Sequence, residues 1–266
     1  MSHVDAALRD LRSLEELARR DTRLARVDPR AKLVVTLAFI VAVVSFDRYT
    51  VAALLPFGAY PALLAAMGEG PWRVLARKLA YATPFAVMVG LFNPLLDTAP
   101  QVVLGPLPVS GGWLSFTSIL LRFALTVSAA LVLVAATGLY PLCVALGRLG
   151  VPWVFTTQLL FLFRYAFVLG GEASRMATAR LLRANGRPLR LGSYGPLVGH
   201  LLLRAFERAQ RVHQAMLARG YDGELRSQRR LRWTARDSAF VLGWCAFFLL
   251  ARSHDLPQWL GQLAGA

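Results

Sequence analysis

Two stretches of this chain place arginines close to glycine at the end of a helical pattern, where a guanidinium can bind an acidic group. The stretch RVHQAMLARGYDGELR (211–226) ends a helical pattern at Ala218, Arg219 and Gly220. A second stretch, ATARLLRANG, carries Arg180 and Arg183 ahead of Gly186. The helix dipole favours cations at its C-terminal end, which would explain one such ending. Two of them favour paired use, in which each planar guanidinium reaches an acidic groove of another protein.

Signatures of catalysis are missing from the sequence. The only lysines, Lys32 and Lys78, do not follow glycine, so there is no phosphate-binding GxxxxGK[ST] loop. The four histidines are scattered without metal-ligand spacing, and neither GxSxG nor HExxH occurs. Cys143 and Cys245 lie far apart in apolar surroundings, which favours small core residues. We therefore predict a binding role, with no catalytic residue, cofactor or resident metal in this chain.

The composition indicates a membrane protein. Hydrophobic residues make up 56% of the 266 residues and charged residues 17%, and the mean hydropathy is +0.48. Soluble proteins are closer to a quarter charged. The net charge of +15 could suit nucleic acid, anionic lipid or an acidic protein. Residues 1–32 contain no apolar stretch, so we expect no cleavable signal peptide.

Five apolar segments approach the roughly 20 residues that a helix needs to cross a bilayer. They cover residues 33–46, 51–67, 79–96, 119–138 and 239–251. A sixth segment, 153–170, is interrupted by Gln158 and Arg164. Because an arginine at mid-membrane costs about 2.5–3.5 kcal/mol, we interpret this segment as a long helix at the membrane edge, with a sixth span as the alternative.

Basic residues predict the orientation and the domain order. Residues 1–32 carry eight Lys or Arg and residues 139–237 carry sixteen, whereas the Gly- and Pro-rich stretch 97–118 carries none and reads as an outer loop of turns. We predict a cytoplasmic segment (1–32), a membrane domain of four helices (33–138), a cytoplasmic helical domain (139–237), a final span (238–252) and an outer tail (253–266).

Three helices are predicted in the cytoplasmic domain. A short one lies within 142–151, a longer one covers 154–184, and a third covers 194–219. The third has an apolar stripe at three- and four-residue steps: Leu202, Ala205, Phe206, Ala209, Val212 and Met216. On the longer helix, Glu172 is three residues before Arg175, which predicts an ion pair along the helix; the alternative is a role at an interface.

The ordered motifs RVDPRAKL (26–33), LFNPLLD (91–97), ALGRLGVP (145–152), FRYAFVLGGEASRMATARLLRANG (163–186) and RAFERAQRVHQAMLARG (204–220) resemble one family. It is the transmembrane T component of energy-coupling factor (ECF) transporters, in the cobalt-type CbiQ branch. The resemblance extends over residues 20–225. From these motifs come the further structural or interface candidates Asp28, Pro29, Arg30, Lys32, Asn93, Pro94, Arg164, Tyr165, Glu172, Arg175 and Met216.

The resemblance implies an L-shaped, all-α protein of a bacterial inner membrane, with about five transmembrane helices and long cytoplasmic coupling helices. Each coupling helix would dock one of two ABC ATPase subunits, which bind ATP and Mg. A separate membrane S component would bind the substrate, with cobalt or nickel expected. The second docking motif would be Ala218, Arg219 and Gly220. The first would lie between Ala179 and Gly186, with Arg183 preferred over Arg180, because RAN stands where Arg-Gly is expected.

Four alternatives remain at this level. A stand-alone channel or secondary transporter would need polar residues at mid-depth, and only Arg122 near the edge of a span is available. A nucleic-acid binder is disfavoured because the arginines form no aromatic-interleaved patch. A scaffold that binds anionic lipid through residues 1–32 is a third. A T component for a vitamin is the fourth.

Overall fold

The computed structural model describes residues 24–47, 49–68, 72–96, 100–104, 107–185, 194–223 and 232–253, together with residues 15, 18, 22 and 192. Two compact units make up the chain. One, the membrane body, combines Leu17–Gly138 with Leu231–Ala266, and the other, the helical arm, combines Met1–Glu16 with Leu139–Arg230.

The regular secondary structure of the described residues is helical apart from one hairpin. In the membrane body the elements are α1 (Pro29–Val44), a 3₁₀ helix (Ala52–Gly58), α2 (Ala59–Met67), α3 (Trp72–Gly90), α4 (Phe92–Leu96), strands β1 (Pro100–Leu104) and β2 (Leu107–Ser110), α5 (Gly111–Thr137) and α9 (Ala235–Ser253). In the helical arm they are α6 (Leu139–Arg148), α7 (Trp153–Arg183) and α8 (Tyr194–Leu217).

An aromatic cluster forms the centre of the membrane body. Phe39 of α1 stacks on Tyr60 of α2 with ring centroids 4.7 Å apart, and Phe248 of α9 stacks on Phe57 at 5.9 Å. Trp244 meets the edge of Tyr60 at 4.8 Å. Such pairs contribute about 0.5–1.5 kcal/mol each beyond the burial of their area. The last helix of this unit is therefore part of the same core as the first.

Helices α3 and α5 pack closely at Gly90, because a Cβ there would stand 2.8 Å from the Phe116 ring. The stretch 97–118 was predicted to be a loop of turns. It instead contains the antiparallel strands β1 and β2, in which Leu104 is paired with Leu107. Valine and leucine in both strands favour extended backbone. The predicted helix 51–67 is also divided, since its first part is the 3₁₀ helix that contains Pro56.

Within the part of the chain that the structure describes, three stretches are long and apolar enough to cross a membrane: Val74–Pro94, Gly111–Thr137 and Trp153–Arg183. The first two correspond to predicted spans, and the third contains the segment interpreted as a helix at the membrane edge. Helix α1 is shorter, with 16 residues, and α9 carries Arg236, Asp237 and Arg252. The prediction of an all-α membrane protein is confirmed.

The two longer helices of the helical arm follow the sequence signals closely, whereas α6 begins three residues before the predicted stretch 142–151 and contains Pro141 in its first turn, where proline is tolerated. Helix α7 begins directly after Pro152 and ends at Arg183, within one residue of the predicted bounds. Helix α8 begins at Tyr194 as predicted and ends two residues before the predicted end. Pro152 directly before α7, and the left-handed residues Asn185 and Gly220 after the ends of α7 and α8, explain why the sequence predicts these bounds.

Candidate functional site

The C-terminal end of α8 places Arg219 next to a left-handed turn. Gly220 has φ +79°, and its N–H donates to the carbonyl of Leu217 at 2.9 Å. The N–H of Tyr221 donates to the carbonyl of Met216 at 3.0 Å. These two bonds form a Schellman motif, which uses up helix-end carbonyls and fixes the direction of the chain. Ala218, Arg219 and Gly220 are all exposed.

The end of α7 is built differently. Asn185, with φ 52°, is its left-handed residue, and its N–H donates to the carbonyl of Leu182 at 3.2 Å. Asparagine tolerates this conformation better than most residues. Arg183 lies two residues before Asn185, whereas Arg219 immediately precedes Gly220. Ala179, Arg180 and Arg183 are exposed, and Gly186 lies outside the described residues.

Glu172 joins α7 to α8. One carboxylate oxygen accepts a hydrogen bond from Arg175 at 2.7 Å, so the predicted pair is confirmed. The other oxygen accepts from Arg204 of α8, a partner 32 residues away that the sequence did not indicate. Only 17% of the Glu172 side chain is exposed, against 70% and 61% for the two arginines. Glu172 therefore belongs to the contact between the two helices.

The two arginine ends lie on opposite sides of this contact. Next to it, a recess is lined by Val168 and Leu169 of α7 and by Arg208 and Arg211 of α8. Glu172 of α7 faces Arg204 of α8, whereas the earlier α7 residue Val168 shares the recess with the later α8 residue Arg211. The two helices therefore run in opposite directions where they meet. At a rise of about 1.5 Å per residue, Arg183 lies about 16 Å from the contact along α7, and Arg219 about 22 Å along α8 in the other direction.

The apolar stripe of α8 is only partly covered. No residue of this fully described helix is buried. Leu202 and Phe206 are exposed, whereas Ala205, Val212 and the Met216 side chain are half-buried. An amphipathic helix with an exposed apolar face is typical of a protein-binding surface.

The motif RVDPR builds the start of α1. The Asp28 carboxylate accepts a hydrogen bond from the backbone N–H of Arg30 at 2.8 Å and pairs with its guanidinium at 3.1 Å. Pro29 occupies the first helical turn, and Lys32 is buried. The Arg30 guanidinium also lies over the Trp233 ring, 5.6 Å from its centroid.

Asp237 holds this motif to the start of α9, a role that no sequence pattern indicated. Its carboxylate accepts hydrogen bonds from the backbone N–H of Asp28 at 2.8 Å and from the N–H and hydroxyl of Thr234. Burial raises the pKa of Asp237, but these hydrogen bonds, with the charge of Arg30, outweigh it and hold the pKa below its usual range. Only a contact across 209 positions in the chain reveals this residue.

The remaining candidates are distributed over both units. Asn93 of α4 donates to the Ser115 hydroxyl at 2.8 Å and so ties α4 to α5, and Pro94 follows it. Tyr165 of α7 packs on Phe161 with ring centroids 6.2 Å apart, and the neighbouring Arg164 lines a cavity. Asn93 and Pro94 belong to the membrane body, whereas Arg164 and Tyr165 belong to the helical arm.

Two arginines of the predicted spans are engaged by backbone carbonyls. Arg122 of α5 donates to the carbonyl of Asp47, and Arg252 donates to the carbonyl of Ser45 at 2.9 Å. Ser45 is the C-cap of α1, and the Asp47 carbonyl also accepts from the N–H and hydroxyl of Thr50. Within the described ranges, no three His, Cys, Asp or Glu side chains come together as metal ligands would.

Comparison with known proteins gives the family. The model of the family described as "CbiQ: Cobalt transport protein" matches residues 21–231. An uncharacterized protein of Methanocaldococcus jannaschii is 26% identical over 91% of this chain and 86% of its own length. The cobalt transport protein CbiQ of Rhodobacter capsulatus is 35% identical over 30% of this chain and 34% of its own. This chain therefore belongs to the CbiQ family of cobalt transport proteins, membrane components of multi-subunit transport complexes.

Proposed function

We propose that this protein is the energy-coupling T subunit of an ECF-type importer. In this role it docks two ABC ATPase subunits through Arg183 and Arg219 and passes their ATP-driven motion to a separate substrate-binding S component. ATP and Mg are bound by the ATPase subunits. The substrate is cobalt or nickel, held by the S component. The protein works in a bacterial inner membrane, with its N-terminus and α7–α8 in the cytoplasm.

The observation that carries the proposal is the placement of two exposed arginine ends on opposite sides of one helix contact. The ends lie about 16 Å and about 22 Å from the Glu172–Arg204 contact along their helices. Two separated helix ends, each with an exposed arginine ahead of a left-handed residue, suit two copies of one kind of partner. The Glu172 carboxylate, bonded to both helices, supports transmission because a displacement of either end reaches the other helix through it.

The exposed apolar residues of α8 support a further protein contact. Leu202 and Phe206 lie between the two arginine ends, in a helix otherwise rich in charge. A membrane partner that covers them would gain about 25 cal/mol for each Å² of apolar area removed from water. We assign this surface to the S component, which the ATPase subunits would then move through α7 and α8.

The docking variant is Arg183→Ala combined with Arg219→Ala, co-expressed with the ATPase subunits and the S component. Truncation of a desolvated arginine at an interface costs about 2 kcal/mol or more, and each 1.4 kcal/mol is a factor of ten in affinity. We expect the ATPase subunits to be absent from the purified double variant, which should still insert into the membrane. Arg180→Ala should have the smaller effect of the two arginines at the end of α7.

The matched control is Arg208→Ala combined with Arg211→Ala. It removes the same charge from the middle of α8, where Arg211 makes only an exposed pair with Glu207 at 3.7 Å. The control should retain both ATPase subunits. ATPase subunits bound equally to the docking variant and the wild type would refute the docking role. Cobalt uptake by vesicles that contain this chain alone would refute the coupling role.

A further inference from the structure

A large cavity in the helical arm is separate from both arginine ends. It lies between α6 and α7 and has a volume of about 840 Å³. Tyr140, Cys143, Val144, Gly147 and Arg148 line it from α6, at the three- and four-residue spacing of one helix face. The helices approach each other at Gly147, where a Cβ would stand 3.5 Å from the Thr156 methyl group.

Two cations face the cavity. Arg148 stands in the last turn of α6 and Arg164 in the first half of α7, and both side chains are exposed. Among the residues that the structure describes, neither guanidinium is paired with a carboxylate. Among the described lining residues the carboxylate is that of Glu15, so the charged side chains of these described residues sum to one positive charge. A guanidinium binds phosphate oxygens with two parallel hydrogen bonds.

The rest of the lining is aromatic and apolar. Trp153, Leu160, Phe163 and Phe167 of α7 line the cavity. Phe163 and Phe167 pack edge to face, with ring centroids 5.1 Å apart. These rings lie in the apolar segment 153–170, which we interpret as part of a helix at the membrane edge, and they can contact lipid there. The cavity therefore offers cations and an apolar wall to the same ligand.

We propose that the cavity between α6 and α7 is a binding site for an anionic phospholipid, with Arg148 and Arg164 on the phosphodiester and the aromatic side chains on the glycerol and acyl region. The volume falls within the usual range of about 300–1,000 Å³ for ligand cavities. Basic pockets between membrane helices on the cytoplasmic side recognise anionic headgroups. Free phosphate would satisfy the guanidiniums but would leave the apolar wall without a partner.

The test uses the purified full chain in neutral detergent, with lipid retention measured by native mass spectrometry. The probes are phosphatidylglycerol and phosphatidylcholine of matched acyl chains, added at equal concentration. We expect wild type to retain phosphatidylglycerol preferentially. Arg148→Gln combined with Arg164→Gln should lower its affinity about tenfold or more, because two charged hydrogen-bonding groups are lost. Arg77→Gln combined with Arg236→Gln removes the same charge from exposed positions elsewhere and should bind as wild type does.

Four outcomes would overturn the proposal. Equal retention of the two lipids by wild type would exclude recognition of the anionic headgroup, and equal loss in the Arg77/Arg236 control would assign binding to net charge. Displacement of the lipid by millimolar inorganic phosphate would assign the cations to the free anion. Cross-linking of wild type with a photoactivatable phosphatidylglycerol needs no variant: adducts within residues 140–167 support the site, and adducts only elsewhere refute it.

Discussion

Asp237→Asn tests how the membrane body is held together at the start of α9. The wild-type carboxylate is 2% exposed and accepts three hydrogen bonds, one from Asp28 and two from Thr234. Asparagine has one acceptor oxygen in place of two. Its amide N–H₂ must therefore face either the Asp28 N–H or the donors of Thr234, so at least one backbone N–H loses its acceptor.

The magnitude follows from that count. An unsatisfied buried donor costs about 1–3 kcal/mol, and hydrogen bonds to a charged group contribute about 1.5–3 kcal/mol each. We expect Asp237→Asn to lower the free energy of unfolding by about 2–4 kcal/mol. For a chain of this size each kcal/mol corresponds to about 2–4 °C in Tm, so the apparent Tm should fall by about 5–15 °C.

The assay is thermal unfolding of the purified protein in one detergent at pH 7, followed by circular dichroism. Glu207→Gln is the matched control, because it makes the same chemical change at a carboxylate that is 66% exposed and 3.7 Å from its partner. Its effect should stay within about 0.5 kcal/mol. Equal Tm shifts in the two variants would show that the Asp28–Asp237 contact does not stabilise the fold.

The same residue gives a dependence on pH. The pKa of Asp237 is lowered in the folded state. The ionised carboxylate therefore makes its full contribution to the free energy of unfolding above the ordinary aspartate pKa of about 3.9. That contribution is lost as the pH falls through the lowered folded value. The Tm difference between wild type and Asp237→Asn should therefore narrow in acid.

Gly220→Ala should lower the amount of co-purified ATPase and cost about 1–2 kcal/mol of stability, because φ +79° suits glycine alone and no neighbouring atom lies within 4 Å to add a clash. Gly199→Ala, inside α8 and equally free of neighbours, is its control and should be neutral or stabilising. Gly90→Ala should lower the free energy of unfolding by about 1–3 kcal/mol, since its Cβ would meet the Phe116 ring at 2.8 Å. Gly58→Ala, 3.9 Å from Leu125, should leave the apparent Tm unchanged.

Local signals predicted the helical arm well. Pro152, the apolar pattern and the residues after Arg183 and Leu217 gave the bounds of α7 and α8, because capping and periodicity act within a few residues. The pair of Glu172 with Arg175 was predictable for the same reason. The contact of Glu172 with Arg204 was not, since it depends on which faces of the two helices meet.

Long-range packing explains what the sequence did not reveal. In the sequence Asp237 is an ordinary acidic residue of the first turn of α9. Its role becomes apparent only from its hydrogen bond with the backbone N–H of Asp28. The hairpin of β1 and β2 was missed because its glycine and prolines favoured turns over the short valine and leucine runs between them. The cavity of Arg148 and Arg164 likewise required the packing of α6 on α7.

The position of Phe248 has a consequence for biosynthesis. Its ring fills the space between Phe39 and Phe57, yet it is translated only after the whole segment Leu139–Arg230 has been synthesised. Until then the nascent bundle presents unfilled aromatic surface to lipid and to the insertion machinery. A transcript truncated before α9 should therefore yield a product that membrane quality-control proteases remove, even though Arg183 and Arg219 have already been made.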